Sequence, residues 1–412
     1  MRATAFILPL LLLVQAYAAA DEPAGSGDDV DSLFTEKPAE PEADTQSQPD
    51  VLADILPKGI SIGADFSLLA GYSPGLNYLP GDVADLSQIA YVDKPLLDMT
   101  SSLNIDVRFA REVRVFSRLS AQLPQFRAEI TELFCDINLL NAVYIRAGRQ
   151  NLSWGISPNF PFTNLLARVP VSQDANDDAA DSIACKVTVP IGVGGLDLVA
   201  FSRTTLWDAP DQPTVDEIGG GTRFNLALQN FDFSIGGYYH KDLPLRFFYA
   251  LKTTLFDWIE AYTEGLAATN LLSLPDPAAA SWYFSLNAGF YVDFFSKALK
   301  LNIEYFYCGE SDGLTVKGAD FTLFPGHNLA LNASLSLGGG VCKILFQGKF
   351  NFDQTSGYII PALTLDLIPH ITFSLAVPVM LGPESGGYFQ QNTQSDKRRI
   401  CAVLAVLVKA HL

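Results

Sequence analysis

Arg108, Arg114, Arg118 and Arg146 all fall at the polar positions of alternating apolar and polar stretches. Leu103, Ile105, Val107 and Phe109, for example, alternate with Asn104, Asp106 and Arg108. If alternate residues face an enclosed aqueous space, these four guanidiniums, with Asn104, Asp106, Gln122 and Gln150 beside them, form a basic ladder that favours anions. The plainer reading of the same residues is a charge lattice. In it the arginines pair with Glu132, Asp136, Glu260 or Glu304 and brace a wall. Arg149 falls in the apolar register near a strand end, where it snorkels to an interface or marks a bulge.

Other chemistry finds little support. There is no G-x-S-x-G, no H-E-x-x-H and no Walker A pattern, and the four His (240, 327, 370, 411) are scattered. Gly219-Gly220-Gly221 precedes a strand and so lacks the helix N-terminus of a phosphate site. The five Cys (135, 185, 308, 342, 401) show no metal spacing and sit in apolar stretches, as small buried or lipid-facing residues do. Asp174, Asp177, Asp178 and Asp181 would suit Ca²⁺ as hard oxygen ligands; a solvated loop explains them more simply. The sequence thus points to no cofactor, no metal and no enzyme.

The elements that must position these residues follow from composition and pattern. The chain of 412 residues is 49% hydrophobic and 17% charged, with a net charge of −18 and only 3 Met beside 28 Phe, 15 Tyr and 31 Gly. Such acidity argues against nucleic-acid binding, and the aromatic-rich, Met-poor composition suits strands. Arg2, the apolar run Ala5–Val14 and Ala16-Tyr17-Ala18 form a secretory signal peptide over residues 1–20, cleaved after Ala18 or Ala20. Residues 21–57 hold eleven acidic residues against Lys37 alone, and too little apolar surface to offset their ordering entropy. They are expected to be a disordered acidic tail, a simple spacer or a docking segment that uses Val30, Leu33 and Phe34.

From Gly59 onward the period is two. Every even residue from Ile60 to Leu68 is apolar, as are Trp282, Phe284, Leu286, Ala288, Phe290 and Val292. Similar runs occupy Leu329–Leu337, Ile344–Phe352, Ile359–Leu367, Ile371–Val379 and Ile400–Leu412. Soluble strands average about five or six residues; these match the ~9–11 residues of a strand that crosses a bilayer. The links between them sort by length. Short ones such as Leu139–Asn141, Gln229–Asn230 and Gly338–Gly340 alternate with a set that holds every long one, including Ser73–Thr100, Trp154–Asp181 and Leu381–Ser395. The expectation is an all-β, up-and-down transmembrane antiparallel barrel over residues 58–412, with about 18 strands and 16 as the alternative. Tyr72, Trp154, Tyr239, Trp282, Tyr305 and Tyr307 at strand ends read as interfacial girdles. Phe160, Phe162, Leu165 and Leu166, in the apolar half of the loop after Trp154, could fold into the lumen as a constriction.

Gly148-Arg149-Gln150 followed by Trp154-Gly155 resembles a hairpin of bacterial porin-like outer-membrane barrels of the phosphate-selective and alginate-export type, in which such a strand precedes a long external loop. Glu304-Tyr305-Phe306-Tyr307-Cys308-Gly309 resembles a further strand of that group, with Cys308 in place of a commoner polar residue. The last strand resembles the signal read by the barrel-assembly machinery, although Leu412 stands where an aromatic is commonest. Asp28–Phe34 is similar to the start of some spirochaetal exported proteins. The resemblance implies a location in the outer membrane with both termini periplasmic and diffusion of small hydrophilic solutes through the lumen. Homotrimers are common in that class. A plugged barrel for hydrophobic ligands and a surface-exposed adhesin or structural barrel are the other readings.

Overall fold

The computed structural model describes residues 59–77, 90–110, 112–123, 127–150, 183–202, 218–240, 243–256, 258–269, 282–295, 298–309, 324–368, 370–383 and 403–411, together with 152, 154–160, 162–163, 169–170, 179–180 and 400–401. The predicted signal peptide, the acidic tail, Leu165, Leu166 and the Asp174–Asp181 cluster lie outside the described residues. A single antiparallel sheet contains twenty ladder segments, two of which, Val379–Leu381 and Ile400–Cys401, continue strands interrupted nearby. The barrel therefore has eighteen strands, as the periodicity predicts.

In chain order the strands are β1 (Ile60–Asn77), β2 (Ala90–Ala110), β3 (Val113–Leu123), β4 (Arg127–Leu139), β5 (Val143–Arg149), β6 (Ile183–Ile191), β7 (Gly194–Ser202), β8 (Ile218–Leu228) and β9 (Phe231–His240). Then come β10 (Leu243–Phe256), β11 (Ile259–Thr269), β12 (Trp282–Phe294), β13 (Leu299–Cys308), β14 (Gly326–Leu337), β15 (Cys342–Asn351) and β16 (Ser356–Ile368). The last two are β17 (Ile371–Ala376) and β18 (Val403–His411). Each pairs with its predecessor, and β18 returns to β1 in a register running from Asp65↔His411 to Tyr72↔Leu404. That pairing closes the sheet and removes its edges.

Connections after even-numbered strands are short; those after odd-numbered strands include every long one. Local chemistry explains the tight end. Leu140 and Asn141 both have positive φ (55° and 56°), and the Ala142 N–H donates to the Leu139 carbonyl at 3.0 Å. Gly338 and Gly339 (φ 61° and 68°) repeat this geometry, whose twist matches that of the flanking strands. A bulge between β3 and β4 leaves Thr131 out of the pairing, and its hydroxyl donates to the Arg118 carbonyl at 3.2 Å.

The distribution of side chains is inside-out. Along β12, Phe284 (59%) and Leu286 (44%) are exposed on the outer surface, while Asn287 (0%) is buried within. The largest fully buried side chains are Arg246, Phe306, Glu264 and Glu304. Water over so many outward Leu and Phe would forgo about 1.5–3 kcal/mol for each; the pattern is that of a wall facing lipid. Aromatics ring both rims. Tyr72, Tyr239, Phe247, Trp282, Tyr305 and Tyr307 stand at the long-loop end, and Phe109, Phe256, Trp258, Phe294 and Phe295 at the short-turn end, all exposed. Trp154 does not join the girdle expected for it: it is 2% exposed and lies inside.

Candidate functional site

The segment after β5 leaves the wall and enters the barrel, and the Gly148-Arg149-Gln150 motif shows why. Gly148 has φ +133°, and a Cβ there would run into the Leu133 carbonyl oxygen, so the position is closed to other residues. Gln150 then caps the strand: its amide donates to the carbonyls of Ala184 (2.9 Å) and Arg146 (3.3 Å). Trp154 stacks on Tyr238 with ring centroids 4.9 Å apart and packs against Phe248 at 5.8 Å, under the Arg223 guanidinium. Its inward course has a local cause. Once the chain departs at Gly148, the pleat no longer sets which way residue 154 points.

Beyond Trp154 the loop is held by two wall carboxylates. Glu264 on β11 accepts from the N–H groups of Ile156 and Ser157 (the latter at 2.8 Å) and from the Thr163 hydroxyl at 2.8 Å. Glu304 on β13 accepts from the Ser157 hydroxyl, the Asn159 N–H (3.2 Å), the Asn159 amide (2.9 Å), the Tyr262 hydroxyl (3.0 Å) and the Asn287 amide. Hydrogen bonds to ionised acceptors are roughly twice as strong as neutral ones. Asn332 donates to the Asn159 side chain at 2.8 Å, and the Lys349 ammonium to the Asn159 carbonyl at 2.7 Å. The same ammonium lies 5.2 Å from the Phe160 ring. Phe160 and Phe162 sit on Phe306, with centroids 5.0 and 4.9 Å away. Tyr238 donates its hydroxyl to the Thr163 carbonyl at 3.0 Å.

The arginines occupy the opposite luminal wall as a paired lattice. Arg114 Nε lies 3.1 and 3.0 Å from the two Asp106 oxygens, and its Nη1 is 3.6 Å from Asp136. Arg146 grips Asp136 bidentately at 2.6 and 3.1 Å and covers the Phe134 ring. Arg118 donates to Asn104 at 2.8 Å and lies 3.8 Å from Glu132. Arg108 is 3.9 Å from Asp106. Glu260 and Glu304, both plausible arginine partners by sequence, serve elsewhere: Glu260 pairs with Lys252 at 2.8 Å, and Glu304 holds the loop. The strand register also puts Glu304 and Gln150 among the pore-lining residues. In the structure Glu304 is wholly buried and Gln150 is 5% exposed, because each is spent on the loop or its strand end.

A third region is not evident from the alternation alone. Leu345, Ile360, Ala362, Ala376, Ala405, Leu407 and Leu69 form an apolar cluster on the inner wall, from β15 through β18 to β1. Its signal is nonetheless present: the run Val403-Leu-Ala-Val-Leu-Val408 is apolar at both parities, so the strand has no polar face to give the lumen. Glu264 carries no such signal, since Ile259-Glu-Ala-Tyr-Thr-Glu264 offers two acids on one strand with nothing to single out the second.

No family model matches the chain, and no curated protein matches it. Solved structures do. Pseudomonas aeruginosa OccK2 (OpdF), determined in complex with glucuronate, aligns with a TM-score of 0.52 at 11% identity over 85% of this chain and 98% of that one. OccK5 (OpdH) of the same organism gives 0.51 at 11% identity over 85% and 98%. Its OpdK, determined with vanillate, gives 0.50 at 10% identity over 85% and 99%. What this chain shares with these outer-membrane porins, at such identities, is the fold.

Proposed function

We propose that the chain is an outer-membrane channel through which small hydrophilic solutes diffuse, narrowed by the inward segment Gln150–Thr163. One observation carries this reading: a loop bound to Glu264 and Glu304 inside a barrel whose outer surface is apolar. Phe160 and Phe162, with Leu165 and Leu166 following, supply the constriction. Selectivity comes from lumen width and from the arrangement of inward charge, so no covalent step is needed. Because Arg114 and Arg146 are matched by Asp106 and Asp136, the lattice favours anions only weakly.

In this reading residues 1–20 direct export and are removed, and residues 21–57 and the C-terminus lie in the periplasm, at the short-turn end. Strand β18 presents its apolar parity to the assembly machinery. Kinship with the phosphate-selective and alginate-export type rests on the Gly148–Gly155 motif. The test is planar-bilayer conductance of the folded, detergent-purified protein under a salt gradient. Stepwise conductance with a small reversal potential is the expected result; a folded barrel that stays silent overturns the channel.

A further inference from the structure

The segment Ile156–Thr163 contains no titratable side chain, so pH reaches it only through the wall residues that hold it. Two of those residues are carboxylates, Glu264 and Glu304, and both are wholly buried. One loop residue touches the pair: Ser157 gives its N–H to Glu264 at 2.8 Å and its hydroxyl to Glu304. Asn287 lies on β12 between their strands, opposite Glu264 in the register and donating its amide to Glu304. Two like charges are thus confined within the reach of one serine. Lys349 of β15 brings one ammonium to the same place, where it donates to the Asn159 carbonyl and bears on Glu304. Tyr262 of β11 and Tyr291 of β12 face the pair with uncharged phenols. Glu260 adds a further negative charge near Tyr291, held by Lys252 at 2.8 Å. On the Glu264 side, Tyr238 of β9 also meets Arg246 and Arg223, the latter gripped by Asp197 at 2.7 Å. His240, on the same strand, stacks on Phe201.

The hydrogen bonds fit the ionised form of both residues. Each of the four carboxylate oxygens receives at least one donor: Ile156, Ser157 and Thr163 on Glu264, and Ser157, Asn287, Asn159 and Tyr262 on Glu304. Ile156, Ser157 and Asn159 donate through backbone N–H groups, which have no acceptor to offer in return. A carboxylic acid in either place turns a hydrogen of its own toward these donors and loses the charge that made the bonds strong. Confinement supplies the drive, because a proton cancels one of two like charges that water does not screen. Acid therefore relieves repulsion at the expense of the loop's bonds. The strand ladders depend on neither carboxylate.

We infer that Glu264 and Glu304 form an acid-operated latch: ionised, they hold Ile156–Thr163 inside the barrel, and on protonation they release it, so that the proposed channel, on which this inference rests, widens in acid. The test is hydrogen exchange read by mass spectrometry on the full chain folded in detergent. It compares about pH 8 with about pH 4.5, with labelling times scaled to the intrinsic exchange rates. Protection of peptides spanning residues 154–163 should fall at least tenfold in acid, while peptides from β7 and β16 keep theirs. Equal protection at the two pH values overturns the latch, and so does a loss shared by every strand. Glu264→Gln and Glu304→Gln should leave the segment poorly protected at both pH values, with no further loss in acid. A variant that keeps the full acid response shows that another group titrates and overturns the latch too. If neither variant folds, Lys349→Met decides: without the ammonium the loss of protection should begin at higher pH, and an unmoved midpoint overturns the latch. Single-channel steps should grow over the same acid range, and steps that stay constant while the segment is released overturn the widening. Exchange is independent of ion flow, so a silent barrel whose segment still loses protection in acid would remove the channel and support the latch.

Discussion

Asn159 holds Glu304 twice: its side-chain amide reaches Oε2 at 2.9 Å and its backbone N–H approaches the same oxygen at 3.2 Å. A loop residue and a wall residue distant in sequence thereby become one unit. Removing the carboxylate takes the acceptor from the Ser157 and Tyr262 hydroxyls as well, and leaves the Asn287 amide with the Ser157 oxygen alone. Each buried donor left without its acceptor costs about 1–3 kcal/mol. Glu304→Ala should therefore release the loop while the barrel, held by its ladders, still forms. The measurement is single-channel recording with limited proteolysis. The expected result is larger or flickering steps with new cleavage near residues 156–163; unchanged steps and an uncut loop would mean that the Phe160 and Phe162 contacts suffice.

The lattice makes a quantitative distinction between its arginines. Arg118 is 44% exposed and touches Glu132 only at 3.8 Å, so Arg118→Met should change stability by less than about 1 kcal/mol. Arg114 bridges Asp106 and Asp136, and reversing its charge leaves Asp106 with Arg108 alone at 3.9 Å and sets a third negative charge beside Asp136, which Arg146 still holds. Arg114→Glu with Arg118→Glu should move the reversal potential toward cation preference. An unmoved potential would show that the lattice lies off the conducting path.

Two glycines with positive φ should respond oppositely to alanine. At Gly148 a Cβ would collide with the Leu133 carbonyl oxygen and stand 2.8 Å from the Phe134 Cα, both backbone atoms that cannot swing away. At Gly192 (φ +59°) nothing lies within 4 Å, so alanine meets only the left-handed backbone penalty of about 1–2 kcal/mol. Gly192→Ala should assemble normally, whereas Gly148→Ala should lose most of its heat-modifiable folded band in electrophoresis. Equal yields would mean that β4 shifts to accommodate the methyl group.

Tryptophan environments give a direct check on which side chains face lipid. Trp258 and Trp282 are exposed on the outer surface at opposite rims, and Trp154 is enclosed against Tyr238. In single-tryptophan variants reconstituted with brominated lipids, Trp258 and Trp282 should be quenched strongly and Trp154 hardly at all. Comparable quenching of Trp154 would place the loop against the bilayer.

How far the sequence is legible depends on what enforces each residue's position. Period-two alternation is imposed by the pleat itself, so the eighteen strands, their outward Leu286 and Phe284 and the inward arginines can all be read from it. Turn chemistry is equally local, as at Leu140-Asn141 and Gly338-Gly339. Trp154 and Glu304 are different. Where the chain leaves the sheet after Gly148 the pleat no longer dictates direction, and Glu304 meets its partners only once a segment more than a hundred positions away has folded back. The apolar cluster is hidden from any reading of β18 that follows one parity alone, because Ala405 and Leu407 on the other parity are apolar too.

The seam between Asp65–Tyr72 and Leu404–His411 also sets an order of manufacture. Every other strand of the barrel can find a partner next to it in sequence, yet the second edge of β1 is satisfied only by β18, at the far end of the sheet. Until then the growing sheet presents one open backbone rim at its first strand and another at its newest, and neither is tolerable in hydrocarbon. Insertion and closure are for that reason a single event. Strand β18 is the fastener of the whole wall, and a chain damaged there should leave both edges open instead of closing as a slightly smaller barrel.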